Sequence, residues 1–136
     1  MTIPSADRQE TFLRTTPNAV VATIRRSGLP QLTPNWFLWT GTEFWISVAA
    51  GCAKQRNIER DPRVVLCIDD VPSGDYVQVI GSATIVEGDA VRAPTIELIR
   101  KYREEPDVIP HWEEISSASE RVLIVVRPER FLWHDR

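Results

Sequence analysis

Four cations and an amide stand together in GCAKQRNIERDPRVVLCIDD, residues 51–70: Lys54, Arg56, Arg60 and Arg63, with Asn57 among them. Clustered ammonium and guanidinium groups bind oxyanions, and the planar guanidinium fork suits phosphate. Residues 53–60 can hold about two helical turns. A helix starting near Ala53 would point free backbone N–H groups and a positive dipole end at an anion. Lys54 sits in that first turn, where a cation opposes the dipole unless an anion is bound there. Arg56 and Asn57 can add donors, and Ser47, near the end of the preceding strand, a hydroxyl. The same residues also read as a solvated helix face, with Arg60 and Arg63 paired to Glu59 and Asp61, and the local sequence leaves both open.

The second chemical signal is QLTPNWFLW, residues 31–39. Pro34 cannot donate a ladder hydrogen bond, so this segment is an edge strand or carries a bulge. Thr33 and Asn35 flank that proline with small polar side chains, and Trp36 follows. Such an edge offers hydrogen bonds to a planar heteroaromatic ligand; a plain edge strand is the simpler account.

Other chemistries lack their parts. There is no G-x-G-x-x-G and no P-loop glycine pattern. His111 and His134 have no metal-ligand company at a recognised spacing, so no metal is expected. Cys67 lies inside an apolar strand and reads as a buried, inert thiol. Cys52 sits in a loop with no base nearby in sequence. The pairs Glu104-Glu105 and Glu113-Glu114 read as solvated charges. No catalytic side chain is identifiable.

The elements that must position these residues follow from periodicity. SADRQETFLRT, residues 5–15, reads as a helix with Ser5 as N-cap. Strands are expected over 18–26, 31–39, 43–49, 62–70, 76–88 and 121–133. The helix over 53–60 ends at Asp61-Pro62, because the residue before proline avoids helical geometry. Residues 91–105 take a helical period, with Val91, Thr95, Leu98, Ile99 and Tyr102 on one face, and a polar stretch follows. Six strands with short connections predict a mainly β, six-stranded antiparallel barrel with a few short helices. Both faces of EFWISVA and of QLTPNWFLW carry apolar residues. One face fills the barrel; the other must meet a helix, a ligand or a second subunit, and a homodimer is the economical answer.

A chain of 136 residues is expected to form one domain over 1–136, and its 43% hydrophobic and 26% charged residues are those of an ordinary globule. A net charge of −3 argues against nucleic acid as a partner. No apolar run reaches the ~20 residues of a membrane helix. The beginning, MTIPSADRQETF, lacks the pattern of a signal peptide, and the two cysteines form no disulfide framework, so a cytoplasmic location is expected.

Taken together, ATIRRSGLPQLTPNWFLW, then EFWISVAAGCAKQRNIERDPRVVLCIDD, then YVQVIGSATIVE resembles the pyridoxamine 5'-phosphate oxidase-like FMN-binding split-barrel family. Among its branches the chain looks most like the oxidoreductases that use the deazaflavin coenzyme F420, and VLIVVRPERFLWHD supports this. The most specific element is a serine, then a lysine, then R-N-I-x-R-D-P before an apolar strand. The resemblance implies a split-barrel homodimer with cofactor at the subunit interface. It puts Lys54, Arg56, Asn57 and Ser47 at the phosphate, and Gln31, Thr33, Pro34, Asn35 and Trp36 along the ring system. Tyr76 and Val77 would reach the other subunit's cofactor. The implied activity is hydride transfer between reduced F420 and a small unsaturated or carbonyl-containing molecule. FMN chemistry and non-enzymatic cofactor binding are the alternatives. Ala53 stands where FMN oxidases of the family often carry arginine, and their extended C-terminal substrate signature is absent after RFLWHDR, which argues against vitamin B6 oxidation.

Overall fold

The computed structural model describes residues 3–134. Its elements are α1 (Ala6–Thr15), β1 (Ala19–Ile24), β2 (Pro30–Asn35), β3 (Leu38–Trp39), β4 (Phe44–Ala49), α2 (Ala53–Arg60), β5 (Arg63–Asp70), β6 (Asp75–Val86), a 3-10 turn (Gly88–Val91), α3 (Arg92–Arg100), α4 (Glu105–Ala118) and β7 (Arg121–His134). The strands form one antiparallel sheet in the order β2-β1-β5-β6-β7-β4-β3. The fold is an antiparallel split barrel, as the sequence predicts.

The strand count differs: there are seven strands where six are expected. Residues 31–39 are not one strand. They divide into β2 and β3, which lie at opposite ends of the sheet, and Trp36-Phe37 is the crossover between them. The physical reason is local. Phe37 is fully buried, and its N–H donates to the Tyr102 hydroxyl at 2.9 Å rather than to a neighbouring strand. Pro34 belongs to β2, the edge strand that its missing donor predicts.

The core follows the period-2 alternation. Phe44, Ile46 and Val48 point inward from β4, while Trp45, Ser47 and Ala49 stay half-buried on the other side. In β7 the run Val122–Val126 is buried on both faces. Val122, Ile124 and Val126 enter the barrel core, and Leu123 and Val125 lie on the opposite face. The β6–β7 ladder slips a residue at Gly81, where a Cβ would come within 2.3 Å of the Arg127 carbonyl oxygen, so the bulge requires glycine.

The polar stretch after residue 105 is a second correction: it is α4. Pro106 suits its first turn, and Glu105 and Asp107 favour its dipole. Val108, Trp112 and Ile115 make an apolar stripe that packs with Ile96 and Ile99 of α3. Pro110 inside the helix hides this pattern in the sequence.

Candidate functional site

The α2 cluster and β2 are joined through Asn57. Its amide donates to Thr23 Oγ1 at 3.0 Å and to Gln31 Oε1 at 2.9 Å, and its oxygen accepts from Arg60 Nη2 at 3.0 Å. Asn57 is buried, so these bonds use its amide internally. It holds the site's shape rather than reaching outward. Arg60 also donates to the Ile24 carbonyl at 2.7 Å, which fixes it against β1. Arg63 pairs with Asp61 at 2.7 Å, and that guanidinium holds Asp61 down at about 2. The solvated-face reading is therefore right for Arg63.

Lys54 and Arg56 remain at the start of α2. Among the described residues the half-buried Lys54 has no hydrogen bond or ion pair. Arg56 is exposed and donates to the Gly51 carbonyl. Cys52 at the N-cap gives no side-chain capping bond, and no acid occupies the first turn. Gln55 organises the approach to the helix: it accepts from Gly51 N at 2.7 Å and donates to Glu87 at 3.0 Å.

A cavity of about 310 Å³ opens beside the crossover. Pro34, Asn35, Trp36 and Ser47 line it from the barrel; Thr95, Leu98, Ile99 and Ile115 come from α3 and α4. Arg103, His111 and Arg121 supply its remaining polar groups. Ser47 Oγ accepts from Arg121 Nε at 3.3 Å and from Nη2 at 3.1 Å. Burial lowers the Arg121 pKa, with Cys52 acting against that shift. Within β2, Asn35 donates to Thr33 Oγ1 at 2.8 Å in the amide orientation that satisfies both groups.

Trp36 is held as a plate. Its ring stacks on Tyr102 at 4.2 Å and on His111 at 5.5 Å, and the Arg103 guanidinium lies 4.7 Å from its centre. Tyr102 also anchors the crossover backbone: its hydroxyl accepts from Phe37 N at 2.9 Å and donates to the Pro17 carbonyl at 2.6 Å, and burial pushes its phenol up to about 12. Lys101 donates to the carbonyls of Thr16 at 2.8 Å and Phe37 at 2.9 Å, with its ammonium 3.6 Å from the Phe37 ring centre. Burial brings Lys101 down to about 8.

The expected site residues thus fall into two adjoining groups. Pro34, Asn35, Trp36 and Ser47 meet at the cavity; Gln31 and Asn57 meet at the α2–β2 junction, with Lys54 and Arg56 on α2 beside it. Tyr76 and Val77 join neither. Tyr76 stacks on His134 at 4.6 Å beside Phe12 and Trp133, and Val77 is wholly buried, so only its backbone could meet a ligand. Cys67 is half-buried, and burial pushes its thiol up, which fits an unreactive group. Among the described residues no cluster of three or more histidine, cysteine or acidic groups could hold a metal.

Sequence reasoning does not place Arg121, Arg103, His111 or Lys101 in the site, and it assigns Tyr102 only to a helix face. The strand register carries the missing information: Ala49 pairs with Arg121, and Ser47 with Leu123, which brings the start of β7 beside the end of β4.

The crossover that closes one sheet on itself, with a cation-lined cavity beside it, defines a split-barrel protein. Residues 5–134 match the family model for pyridoxamine 5'-phosphate oxidase, and the chain belongs to that family. Among solved structures it is similar to a conserved hypothetical protein, Rv2991, from Mycobacterium tuberculosis (TM-score 0.82, 24% identity, 98% of this chain and 86% of that one). It is also similar to an F420 reductase (TM-score 0.75, 29% identity, 96% and 98%). The heme storage protein HutZ from Vibrio cholerae shares the fold (TM-score 0.70, 16% identity, 96% and 94%). No curated protein matches the chain. Among the described residues no helix is long and apolar enough to cross a membrane.

Proposed function

We propose that this chain is a single-domain, homodimeric oxidoreductase that uses coenzyme F420. The observation that carries the reading is the arrangement of Trp36, Ser47 and Lys54. A planar wall and a hydroxyl line the cavity, and a cation with no hydrogen bond or ion pair among the described residues stands in the first turn of α2, the helix that follows the Ser47 strand. This donor set fits a ring system joined to a phosphate. The similarity to an F420 reductase at 29% identity favours the deazaflavin. When bound, the reduced coenzyme supplies a hydride for a small unsaturated or carbonyl-containing acceptor. The protein's own part is to bind, orient and exclude water. Lys54 and Arg56 hold the phosphate, Asn57 keeps β2 at a fixed distance from α2, and Trp36 fixes the plane at the cavity wall.

A second subunit is part of the proposal. The outward face of β1, β5 and β6 carries Ala22, Ile24, Val65 and Ile80 around an apolar groove of about 350 Å³, and Leu32 on β2 is 62% exposed. An apolar surface of that kind favours a covering partner. A cytoplasmic location is part of the same proposal.

Fluorescence titration of purified protein with F420 and with FMN tests the coenzyme. Oxidation of reduced F420 with a panel of enones, enoates and aldehydes tests turnover. Tighter binding of FMN would replace the deazaflavin reading with the flavin one. Tight F420 binding with no acceptor turned over would favour a carrier role.

A further inference from the structure

Arg121 is a half-buried guanidinium whose only hydrogen bonds among the described residues are to a neutral hydroxyl, Ser47 Oγ. Among the described residues it has no carboxylate partner. Buried charges are normally paired, because desolvation is costly without compensation. The cavity sharpens the point. Its lining includes Arg103, His111 and Arg121 but neither aspartate nor glutamate, in a chain whose net charge is −3. Arg121 also lines a second cavity with Asp89 and Glu120, and among the described residues neither forms an ion pair with it. The same cavity is lined by Leu98, Ile99 and Ile115, apolar side chains supplied by α3 and α4.

The geometry points to an oxyanion subsite at Arg121: the cavity takes a molecule whose phosphate or carboxylate oxygens meet this guanidinium while its apolar body lies on Leu98, Ile99 and Ile115. Ser47 presents the guanidinium by accepting from Nε and Nη2, and the remaining N–H groups are left for the ligand. Two sources supply this chemistry: the coenzyme's phosphate, or the carboxylate of an unsaturated acid that accepts the hydride. The second source rests on the coenzyme reading above; the subsite itself does not.

The test is isothermal titration of cofactor-free protein with trans-cinnamate, cinnamyl alcohol, inorganic phosphate and F420. Cinnamate should bind wild type more tightly than the alcohol. Arg121→Gln, which keeps a donor for Ser47 but removes the charge, should weaken the anionic probe that uses the subsite by about tenfold or more, the scale of a charge-assisted bond. Arg121→Lys should retain part of the affinity, and the alcohol should be unaffected. Cinnamate that binds alongside F420 assigns the subsite to the substrate. Cinnamate displaced by phosphate, with F420 affinity lowered in Arg121→Gln, assigns it to the coenzyme. Arg121-dependent cinnamate binding in a protein that ignores F420 keeps the subsite and sinks the coenzyme reading. Equal affinities of wild type and Arg121→Gln for every anion, at matched thermal midpoints, overturn the inference. If Arg121→Gln does not fold, equal binding of cinnamate and cinnamyl alcohol to wild type overturns it alone.

Discussion

The Asn57 side-chain amide donates to Gln31 Oε1 at 2.9 Å, tying the cation-bearing helix α2 to the edge strand β2. Two segments that carry separate signals in the sequence are one hydrogen-bonded unit in the fold. The same amide satisfies Thr23, which is fully buried.

Asn57→Ala should therefore act first on stability. It removes the partner of a buried hydroxyl and unlatches Gln31 and Arg60. Leaving a buried polar group unsatisfied costs about 1–3 kcal/mol. Urea unfolding should show a lower midpoint with an unchanged slope. Gln31→Ala should cost less, because Gln31 is only half-buried and water can replace it at Asn57. An Asn57→Ala protein as stable as wild type would remove the latch from the account.

Lys54→Ala should behave in the opposite way. Lys54 has no hydrogen bond or ion pair among the described residues, so its loss should leave the unfolding midpoint near that of wild type. Coenzyme affinity should fall about tenfold or more, the equivalent of roughly 1.5–3 kcal/mol from a charge-assisted bond. Isothermal titration reads the affinity. Unchanged binding at matched fold and salt would put the phosphate elsewhere.

The difference between what the sequence reveals and what it conceals has a physical basis. Phe44, Ile46 and Val48 alternate with half-buried residues, so β4 is readable from local period. Pro34 names an edge because a missing donor is a local fact. The division of residues 31–39 is not local: it depends on Tyr102, 65 positions away, accepting the Phe37 N–H. Arg121 was equally hidden. It stands at the first position of an apolar strand, and only the β4–β7 register brings it to Ser47. His111 follows Pro110, which lies inside the helix that delivers it to the cavity and obscures that helix's period in the sequence.

Lys101 should make stability depend on pH. Burial lowers it from the ordinary 10.5 to about 8. Between those values the unfolded chain holds a proton on this lysine that the folded chain has released. Stability must then rise with pH across this window, and the cost of the buried charge is present in full below it. The comparison is with Lys101→Met, measured by urea unfolding from pH 7 to 10.5. The wild type should gain on the mutant as pH rises. Tyr102, raised from 10 to about 12, acts with the opposite sign above pH 10 but is present in both proteins. A flat difference between the two would show that Lys101 titrates normally.

The apolar outward face of the sheet gives the assembly prediction. Light scattering at micromolar concentration should return the mass of two chains. Ile80→Asp should put an unpaired carboxylate into that face and shift the protein to monomer, with coenzyme binding lost in parallel. Ile80 is only half-buried within one chain, so the monomer should stay folded by circular dichroism. A wild-type monomer that binds coenzyme tightly would rule out a site completed by the partner.

Preference for F420 over FMN should be electrostatic and should shrink with salt. The two coenzymes share a phosphate, so Lys54 and Arg56 cannot separate them. F420 adds an acidic tail beyond that phosphate, and any preference must come from cations outside the phosphate position. Arg60 is unsuited, because its guanidinium is already committed to Ile24 and Asn57. Arg25 and Arg26 are exposed at the β1–β2 turn, and Arg103 is exposed at the cavity mouth. Exposed pairs contribute only about 0–1 kcal/mol each, so no single arginine should dominate. Together they should still give about a tenfold preference at low ionic strength. Screening shortens the reach of such charges to ~3 Å at 1 M salt, and the preference should then fall toward unity. Fluorescence titrations of both coenzymes at about 20 mM and about 1 M sodium chloride, roughly the low- and high-screening limits, read this directly. Arg25→Ala with Arg26→Ala should narrow the low-salt gap without changing FMN affinity. A preference that persists unchanged in high salt would instead assign discrimination to the ring system at Trp36 and Asn35, and the tail would have no part in it.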